Sequence, residues 1–506
     1  MKLSALCQGA AISFPLEWGE IEIASIVTDS RLASPNSLFI CTRGFHTDSH
    51  ELIGEAVERG AVCVLTQSDF EGEVSQNICR LSHENPRRAA AELYNAFYGK
   101  PTEKMKFIGV TGTNGKTSVT HMLRGILEAS LCRCGLIGTV GCESAGRYLE
   151  SQTQNPSANM TTPDPPELYR MLAEMAADGV EYVLMEVTSH ALALEKLSPI
   201  SFEAGIFTNL TPEHLDFHGS MDAYAEAKSR LFARCKVSIL NADSLYLPII
   251  EKNVKGKLVT CSACSDSSTY HAEHIRMNGQ IGVDYELVSK SARLRIQCPI
   301  PGHFTVMNTM QAAICALELG FGASAIKTAL GSLLGIKGRM ERVRLGYDAD
   351  FTVFIDYAHT PDALEKLLRT AKDFCIEGQR VVVLFGCGGD RDRSKRPLMG
   401  AVAELYADAV IVTSDNSRSE DPHAIIDEIL AGMKGNPTVI VDRAEAIRHA
   451  VITARPKDLI LLAGKGHEEY ELNRFGKHPF SERRIVMDAF EEKKRRMMRQ
   501  DDTDQA

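Results

Sequence analysis

Two lysines carry the most chemical promise in this chain, Lys228 and Lys116. Lys228 lies in Met221–Phe232, where alanines fill the middle and Asp222 is placed to cap, so the stretch is expected to be helical. On that helix Tyr224, Lys228, Leu231 and Phe232 fall at i, i+4, i+7 and i+8, which is one face. A lysine inside an apolar stripe is costly unless something holds it; an isolated one packs its stem and keeps its ammonium in water. Just upstream, residues 208–218 (Thr208-Asn209-Leu210-Thr211-Pro212-Glu213-His214-Leu215-Asp216-Phe217-His218) are crowded with candidate metal and phosphate ligands.

Lys116 lies in the run Gly112-Thr113-Asn114-Gly115-Lys116-Thr117-Ser118, which follows the apolar Phe107–Val110 and opens a helical pattern reaching about Ser130. This is the layout of a phosphate-binding loop. Its glycines let backbone N–H groups face phosphates, the helix N-terminus adds partial positive charge, Lys116 reaches the outer phosphates, and the Thr117 hydroxyl suits Mg²⁺. The strict pattern wants glycine at position 110, where this chain has Val110; strand, loop, Lys-Thr and helix are nevertheless in register.

Elements able to hold such groups recur along the chain. Residues 1–98 have strand and helix signals of their own, including Ala61–Leu65 and Arg87–Phe97, before Tyr98-Gly99-Lys100-Pro101 breaks the pattern. Strands then alternate with helices at Phe107–Val110, Tyr182–Val187, Gly205–Thr208 and Val237–Leu240. After a second break at Gly335–Arg339 the alternation resumes with Thr352–Asp356, Arg380–Phe385, Ala409–Thr413, Thr438–Val441 and Leu459–Ala463. The expectation is three α/β domains, 1–100, 101–336 and 337–506. The middle one would be a mostly parallel sheet of P-loop ATPase type and the last Rossmann-like, with ligand sites at the carboxyl ends of strands.

Composition agrees with a soluble enzyme. The 506 residues are 44% hydrophobic and 24% charged, and the net charge of -10 gives no support to general nucleic-acid binding. No apolar run is long enough to span a bilayer, and Met1–Cys7 does not read as a signal peptide, so a cytoplasmic protein is expected. The 14 cysteines are scattered; neither Cys261/Cys264 nor Cys132/Cys134 has the further ligands a structural zinc site needs, so free thiols are expected.

Several segments together resemble one family. They are Gly112–Thr117, Met185-Glu186-Val187-Thr188-Ser189-His190, Thr208-Asn209-Leu210 with His214–Gly219, Ala227-Lys228, Gly338-Arg339-Met340-Glu341, Asp356–Pro361, Gly386–Asp392 and Gly464-Lys465-Gly466-His467-Glu468. In order and spacing this is similar to the Mur ligases, over about Thr28 to Arg484. The resemblance implies ATP-dependent amide formation in peptidoglycan precursor synthesis: the D-glutamate carboxylate of UDP-N-acetylmuramoyl-L-alanyl-D-glutamate is phosphorylated, and the amine of a diamino acid displaces the phosphate. It also implies roles. Lys116 with Mg²⁺ would neutralise phosphates; Thr117, Glu186, His214 and a carbamylated Lys228 would hold the metal. Arg339 would reach the ATP phosphates, Asp356 the ribose and Asn308 the adenine region. Thr28, Ser30 and His46 would bind the uridine diphosphate end. Thr161, Thr162, Thr188 and Lys196 would hold the muramoyl-dipeptide, with Lys196 standing where many relatives carry arginine. Since all three domains sit on one chain, a monomer is expected.

Asp415-Asn416-Ser417-Arg418 occupies the place of the family's specificity motif, with Ser417 where proline is usual. meso-Diaminopimelate differs from L-lysine by a distal carboxylate, and a guanidinium binds a carboxylate through two parallel hydrogen bonds. Arg418 therefore favours diaminopimelate over lysine. Arg391, Gly464 and Glu468 match further contacts to the added amino acid, Glu468 suiting its ammonium. Three alternatives stay open on sequence: a lysine-adding member of the family, a ligase like folylpolyglutamate synthase, and a P-loop ATPase switch without ligase activity.

Overall fold

The computed structural model of the chain describes residues 1–44, 47–151, 161–333, 335–346, 349–375 and 378–504. They form two compact units. The first comprises Met1–His271 with Val288–Ser291 and Met310–Ile326; the second comprises Ala272–Leu287, Ala292–Thr309 and Lys327 onward.

The first unit contains two sheets. The N-terminal one runs Ser25–Val27, Ser37–Ile40, Ala61–Gln67, Cys79–His83 in spatial order, every pairing parallel. Helix Pro86–Phe97 is capped by the Asn85 side chain, which accepts the Arg88 N–H, and buries an alanine-rich face with Leu93 and Tyr94. The larger sheet has a parallel body in the order Lys257–Ser262, Cys235–Asn241, Phe202–Phe207, Lys106–Thr111, Tyr182–Glu186, Cys134–Gly138. Strand Lys106–Thr111 thus lies between two strands that come later in the chain, so the loop leaving it opens at a reversal of strand order, where α/β sheets bind ligands. Helix Lys116–Ala129 follows that loop directly and buries Val119, Met122, Leu123, Ile126 and Leu127.

The second unit has a six-stranded sheet in the order Glu341–Arg342, Thr352–Asp356, Leu459–Ala463, Val381–Phe385, Ala409–Val412, Thr438–Val439. All its pairings are parallel except the first. Successive residues of one strand enter different cores. Phe354, Val381, Val383 and Leu461 join one apolar cluster, whereas Val353, Ile355, Val382, Leu384, Ile460 and Leu462 join another. Both faces are therefore covered by helices, as uninterrupted Val/Ile/Leu runs demand. Unit two also takes in residues 272–287 and 292–309, which the sequence reading places in the middle domain. Within the unit, Thr352 Oγ1 donates to Gln280 Oε1 at 2.8 Å.

One expectation is corrected at the helix bearing Lys228. Helix Met221–Ser229 is capped by Ser220, whose hydroxyl accepts the Ala223 N–H at 3.2 Å; Asp222 sits in the first turn, where it complements the helix dipole. The 14 cysteines are free thiols. No described helix is long and apolar enough to cross a membrane.

Candidate functional site

In unit one the phosphate loop is built by backbone geometry and by a second segment that clasps it. Gly112 (φ 147°) and Gly115 (φ 87°) take positive-φ conformations, and a Cβ at Gly112 would collide with the Thr208 hydroxyl. Thr208 Oγ1 donates to Asn114 O at 2.6 Å, Asn209 Oδ1 accepts the Asn114 N–H at 3.0 Å, and Thr113 N–H donates to Asn209 O at 2.9 Å. Thr113 Oγ1 also accepts the Thr211 N–H at 3.0 Å. The Thr208–Thr211 segment expected to bear ligands is thus the brace of the loop. Lys116 Nζ donates to Gly112 O at 3.0 Å and Thr113 O at 2.9 Å. Ser118, in the first helical turn, is buried.

Glu186 is the last residue of its strand and pairs in register with Val110, so its carboxylate arrives beside the start of the helix. It is 0% exposed, yet each of its described hydrogen-bond donors is neutral. Thr117 Oγ1 reaches Oε1 at 2.9 Å, Thr139 N–H reaches Oε1 at 3.0 Å and Thr139 Oγ1 reaches Oε2 at 2.9 Å. A buried carboxylate beside a helix-terminal threonine hydroxyl is an oxygen-donor set for a hard cation, so these residues fit Mg²⁺. Thr139 went unnoticed in the sequence; it carries no motif, only its place after strand Cys134–Gly138.

Lys228 is 1% exposed and donates to Gly112 O at 3.0 Å, the carbonyl that Lys116 also uses. Burial first, and then the neighbouring Lys116 charge, hold its ammonium well below the usual lysine range. Its Nζ lies 4.5 Å from the Tyr224 ring centroid, and the His214 ring lies 6.3 Å from that tyrosine and 4.9 Å from His190. His214 itself is exposed and takes a left-handed conformation at φ 56°.

The threonines assigned to the dipeptide gather around Glu186. Thr161 Oγ1 is 3.1 Å from Thr139 Oγ1, and Thr162 Oγ1 donates to Glu186 O at 2.9 Å and lies 3.3 Å from Thr188 Oγ1. Thr188 caps helix Ser189–Ala193. Lys196 is buried and pairs with Asp164 at 2.6 Å. Just after strand Ser25–Val27, Thr28 is exposed, whereas Ser30 is buried and donates to Glu55 Oε2 at 2.7 Å. His46 lies outside the described residues.

Unit two gathers a second set. Asp356 ends its strand in register with Ala463, next to Gly464. Its oxygens accept the Met340 N–H at 2.8 Å and the Ala358 N–H at 2.9 Å, while burial pushes its carboxyl up against the opposing pull of Arg339. The Arg339 guanidinium stacks 5.0 Å from the Tyr357 ring centroid. Asn308 is buried on helix His303–Glu318.

The loops after three neighbouring strands carry Arg391, Asp415–Arg418 and Gly464–Glu468. Arg418, at φ 51°, donates its N–H to Leu472 O at 3.0 Å and its Nη1 to Gly389 O at 2.8 Å. Asn416 Nδ2 donates to Glu468 Oε2 at 2.7 Å. Gly464 (φ 115°) leaves no room for a side chain beside the Asp415 carboxylate. Asp415 and Ser417 are buried, and Arg391 is exposed with Nη1 on Asp390 O at 3.2 Å. Burial, with the Asp415 charge, pushes the Glu468 carboxyl up. Two buried arginines brace these loops. Arg396 clamps Glu420 at 2.8 and 2.9 Å, and Arg443 clamps Glu482 while donating to Ala463 O at 2.8 Å.

Three family models match the chain: "Mur ligase family, catalytic domain" over 22–98, "Mur ligase middle domain" over 110–316, and "Mur ligase, glutamate ligase domain" over 338–466. Among curated proteins, the UDP-N-acetylmuramoyl-L-alanyl-D-glutamate–2,6-diaminopimelate ligase of Caldanaerobacter subterraneus subsp. tengcongensis is 41% identical, with 93% of this chain and 95% of that protein covered. The ligase of the same name from Clostridium tetani is 38% identical, covering 94% and 96%. A solved structure of a ligase with that name has a TM-score of 0.69 at 30% identity, covering 97% of this chain and 99% of its own.

Proposed function

The chain belongs to the Mur ligase family, and from that premise we propose that it uses ATP to join meso-diaminopimelate to the D-glutamate of UDP-N-acetylmuramoyl-L-alanyl-D-glutamate. The observation that carries the choice of amino acid is Arg418, set between the Gly389 carbonyl and the Asn416–Glu468 pair, so that one loop offers a guanidinium and its neighbour a carboxylate. A diamino acid with a carboxylate at its far end matches both.

The reaction has two displacements. A carboxylate oxygen of the D-glutamate attacks the γ-phosphorus, and the bond to the β–γ bridging oxygen breaks, releasing ADP. The amine of the diamino acid then attacks the acyl carbonyl. A C–N bond forms, the C–O bond to phosphate breaks, and the nitrogen loses a proton. Phosphorylation makes a poor leaving group into a good one; the protein supplies positioning and charge neutralisation.

Each residue set takes a share. The N–H groups of Gly112–Ser118 and the Lys116 ammonium hold the triphosphate. Thr117 and Glu186 are the proposed core of a Mg²⁺ site, with His214 and Lys228 beside it; bound there, the ion supplies positive charge against the phosphates. Lys228 serves such a site only as an anion. The neutral amine that burial favours can add to CO₂, forming an N–C bond and releasing a proton, and the resulting carbamate is an oxygen donor. Thr161, Thr162, Thr188 and Lys196 are proposed for the muramoyl-dipeptide, Thr28, Ser30 and His46 for the nucleotide-sugar end, and Asn308, Arg339 and Asp356 for ATP. Arg391, Asp415, Asn416, Ser417, Arg418, Gly464 and Glu468 are proposed for the added amino acid. The division into 1–100, 101–336 and 337–506 belongs to the same proposal; its support is that one family model falls within each segment.

The test is phosphate release with ATP, Mg²⁺ and the UDP-muramoyl-dipeptide, comparing meso-diaminopimelate with L-lysine. Release only with diaminopimelate is expected. Release only with lysine would overturn the role of Arg418, and acceptor-independent hydrolysis would replace the ligase by an ATPase switch.

A further inference from the structure

Lys465 follows Gly464 and is 0% exposed, although it carries an ammonium. Its Nζ donates to Asn416 Oδ1 at 2.9 Å and to Tyr470 O at 3.0 Å, and lies 3.6 Å from Asp415 Oδ1. The Phe480 ring covers it at 5.3 Å. Asn416 Oδ1 also accepts the Leu472 N–H at 2.9 Å. Two donors on that oxygen fix which way the amide points: its NH₂ group faces Glu468 Oε2 at 2.7 Å. Direction therefore passes from Lys465 through Asn416 to Glu468. The same ammonium tethers the hairpin of Tyr470–Asn473 and Gly476–Pro479 at Tyr470 O, and two residues on, Leu472 O accepts the Arg418 N–H at 3.0 Å. One buried cation thus organises both the carboxylate and the arginine of the amino-acid pocket.

We infer that Lys465 is a positioning residue for the incoming amino acid, orienting the Asn416 amide so that Glu468 meets the ammonium and Arg418 the distal carboxylate. This rests on the amino-acid pocket proposed above and goes beyond it, since Lys465 acts through Asn416 and the hairpin.

The charges around Glu468 explain why a lysine suits this place. Asp415 repels the Glu468 carboxylate, Lys465 and Arg418 attract it, Asn416 donates to it, and Tyr357 and Tyr470 face it. The ionised carboxylate is the form that attracts an ammonium by charge. Removing Lys465 leaves Asp415 less opposed and the Asn416 oxygen with one donor fewer, so Glu468 ionises at a higher pH. The acid limb of kcat/KM for the amino acid then moves upward, because that ratio reports groups of the enzyme before the amino acid binds.

The experiment uses the full chain with Lys465→Met, Lys465→Gln and Lys465→Arg, checked for cooperative melting, in the phosphate-release assay. For Lys465→Met the KM for meso-diaminopimelate should rise about tenfold or more, as loss of one charge-assisted contact implies, while those for ATP and the UDP-dipeptide stay within about twofold. Its acid limb should shift upward, and Lys465→Arg should recover part of the loss. Equal changes in all three KM values, or an unmoved acid limb, would overturn the inference. Should Lys465→Met not fold, Lys465→Gln must show the amino-acid-selective rise; wild-type kinetics there would overturn it equally. A wild-type chain silent with every acceptor would instead overturn the reading of function beneath it.

Discussion

Replacing Arg418 by alanine tests the amino-acid pocket most directly. In the structure its Nη1 donates to Gly389 O at 2.8 Å and more weakly to Asn416 O at 3.4 Å, while no described hydrogen bond uses Nη2 or Nε. That edge can grip the distal carboxylate of diaminopimelate with two parallel bonds. Charge-assisted hydrogen bonds contribute about 1.5–3 kcal/mol each and are not additive, so about 3–4 kcal/mol is the expected joint loss. At ~1.4 kcal/mol per factor of ten, kcat/KM for diaminopimelate should fall roughly 10²–10³-fold. L-Lysine has no distal carboxylate, and for it the truncation removes a guanidinium edge left without a partner, a relief of about 1–3 kcal/mol. The preference for diaminopimelate should therefore collapse while the KM for ATP holds. The assay is phosphate release with each acceptor varied at saturating ATP and UDP-dipeptide. A parallel fall for both acceptors, or a KM for ATP rising in step, would refute the reasoning, since either places Arg418 outside the discriminating contact.

Three further outcomes are expected. Lys228→Met should lose about two to three orders of magnitude in kcat, the scale for removing a preorganised electrostatic group, and should abolish a carbamate carbonyl signal seen by NMR when the wild type is equilibrated with ¹³C-bicarbonate; retention of that signal would assign it elsewhere. Arg443→Met leaves Glu482 buried without its cation and should cost about 3–5 kcal/mol in urea unfolding, with much of it restored by adding Glu482→Leu; a loss below about 1 kcal/mol would mean the pair is not desolvated. Glu420 is held at about 2, chiefly by Arg396, against an ordinary 4.5. A carboxyl depressed in the folded state contributes stability above its unfolded value, and that contribution is lost as pH falls toward the folded one. Glu420→Gln should therefore be less stable than wild type at neutral pH and converge with it between about pH 4.5 and 2; a difference constant across that range would exclude Arg396 as the cause.

The strand–helix alternation was readable from residue 106 onward because buried parallel strands are continuous apolar runs, and Lys228 was conspicuous because charge in an apolar stripe needs a reason. The helix cap was misplaced, at Asp222 instead of Ser220, since both residue types cap well and only the position of the first unpaired N–H groups decides. Strands Val283–Ser289 and Arg293–Cys298 escaped notice, their charged residues interrupting the apolar run. The braces were the least legible part. Arg396, Arg443 and Lys465 look like ordinary surface cations, and their partners come from distant segments: Glu420 and Glu428, Glu482, and Asn416. Residue type records a charge, but only the assembled chain determines what surrounds it.

Lys116 bends back onto the Gly112 and Thr113 carbonyls of its own loop. On the proposed assignment, these carbonyls stand in for the phosphates that the lysine would meet. At the proposed nucleotide site, binding would be an exchange of partners at one ammonium, with little chain to order, because the Thr208–Thr211 brace already holds the backbone in shape. Affinity is then the difference between two sets of contacts to the same lysine, and that difference is smaller than either set alone. On the proposed reaction, ADP would leave a loop whose lysine has partners of its own to return to, which lowers the cost of its release.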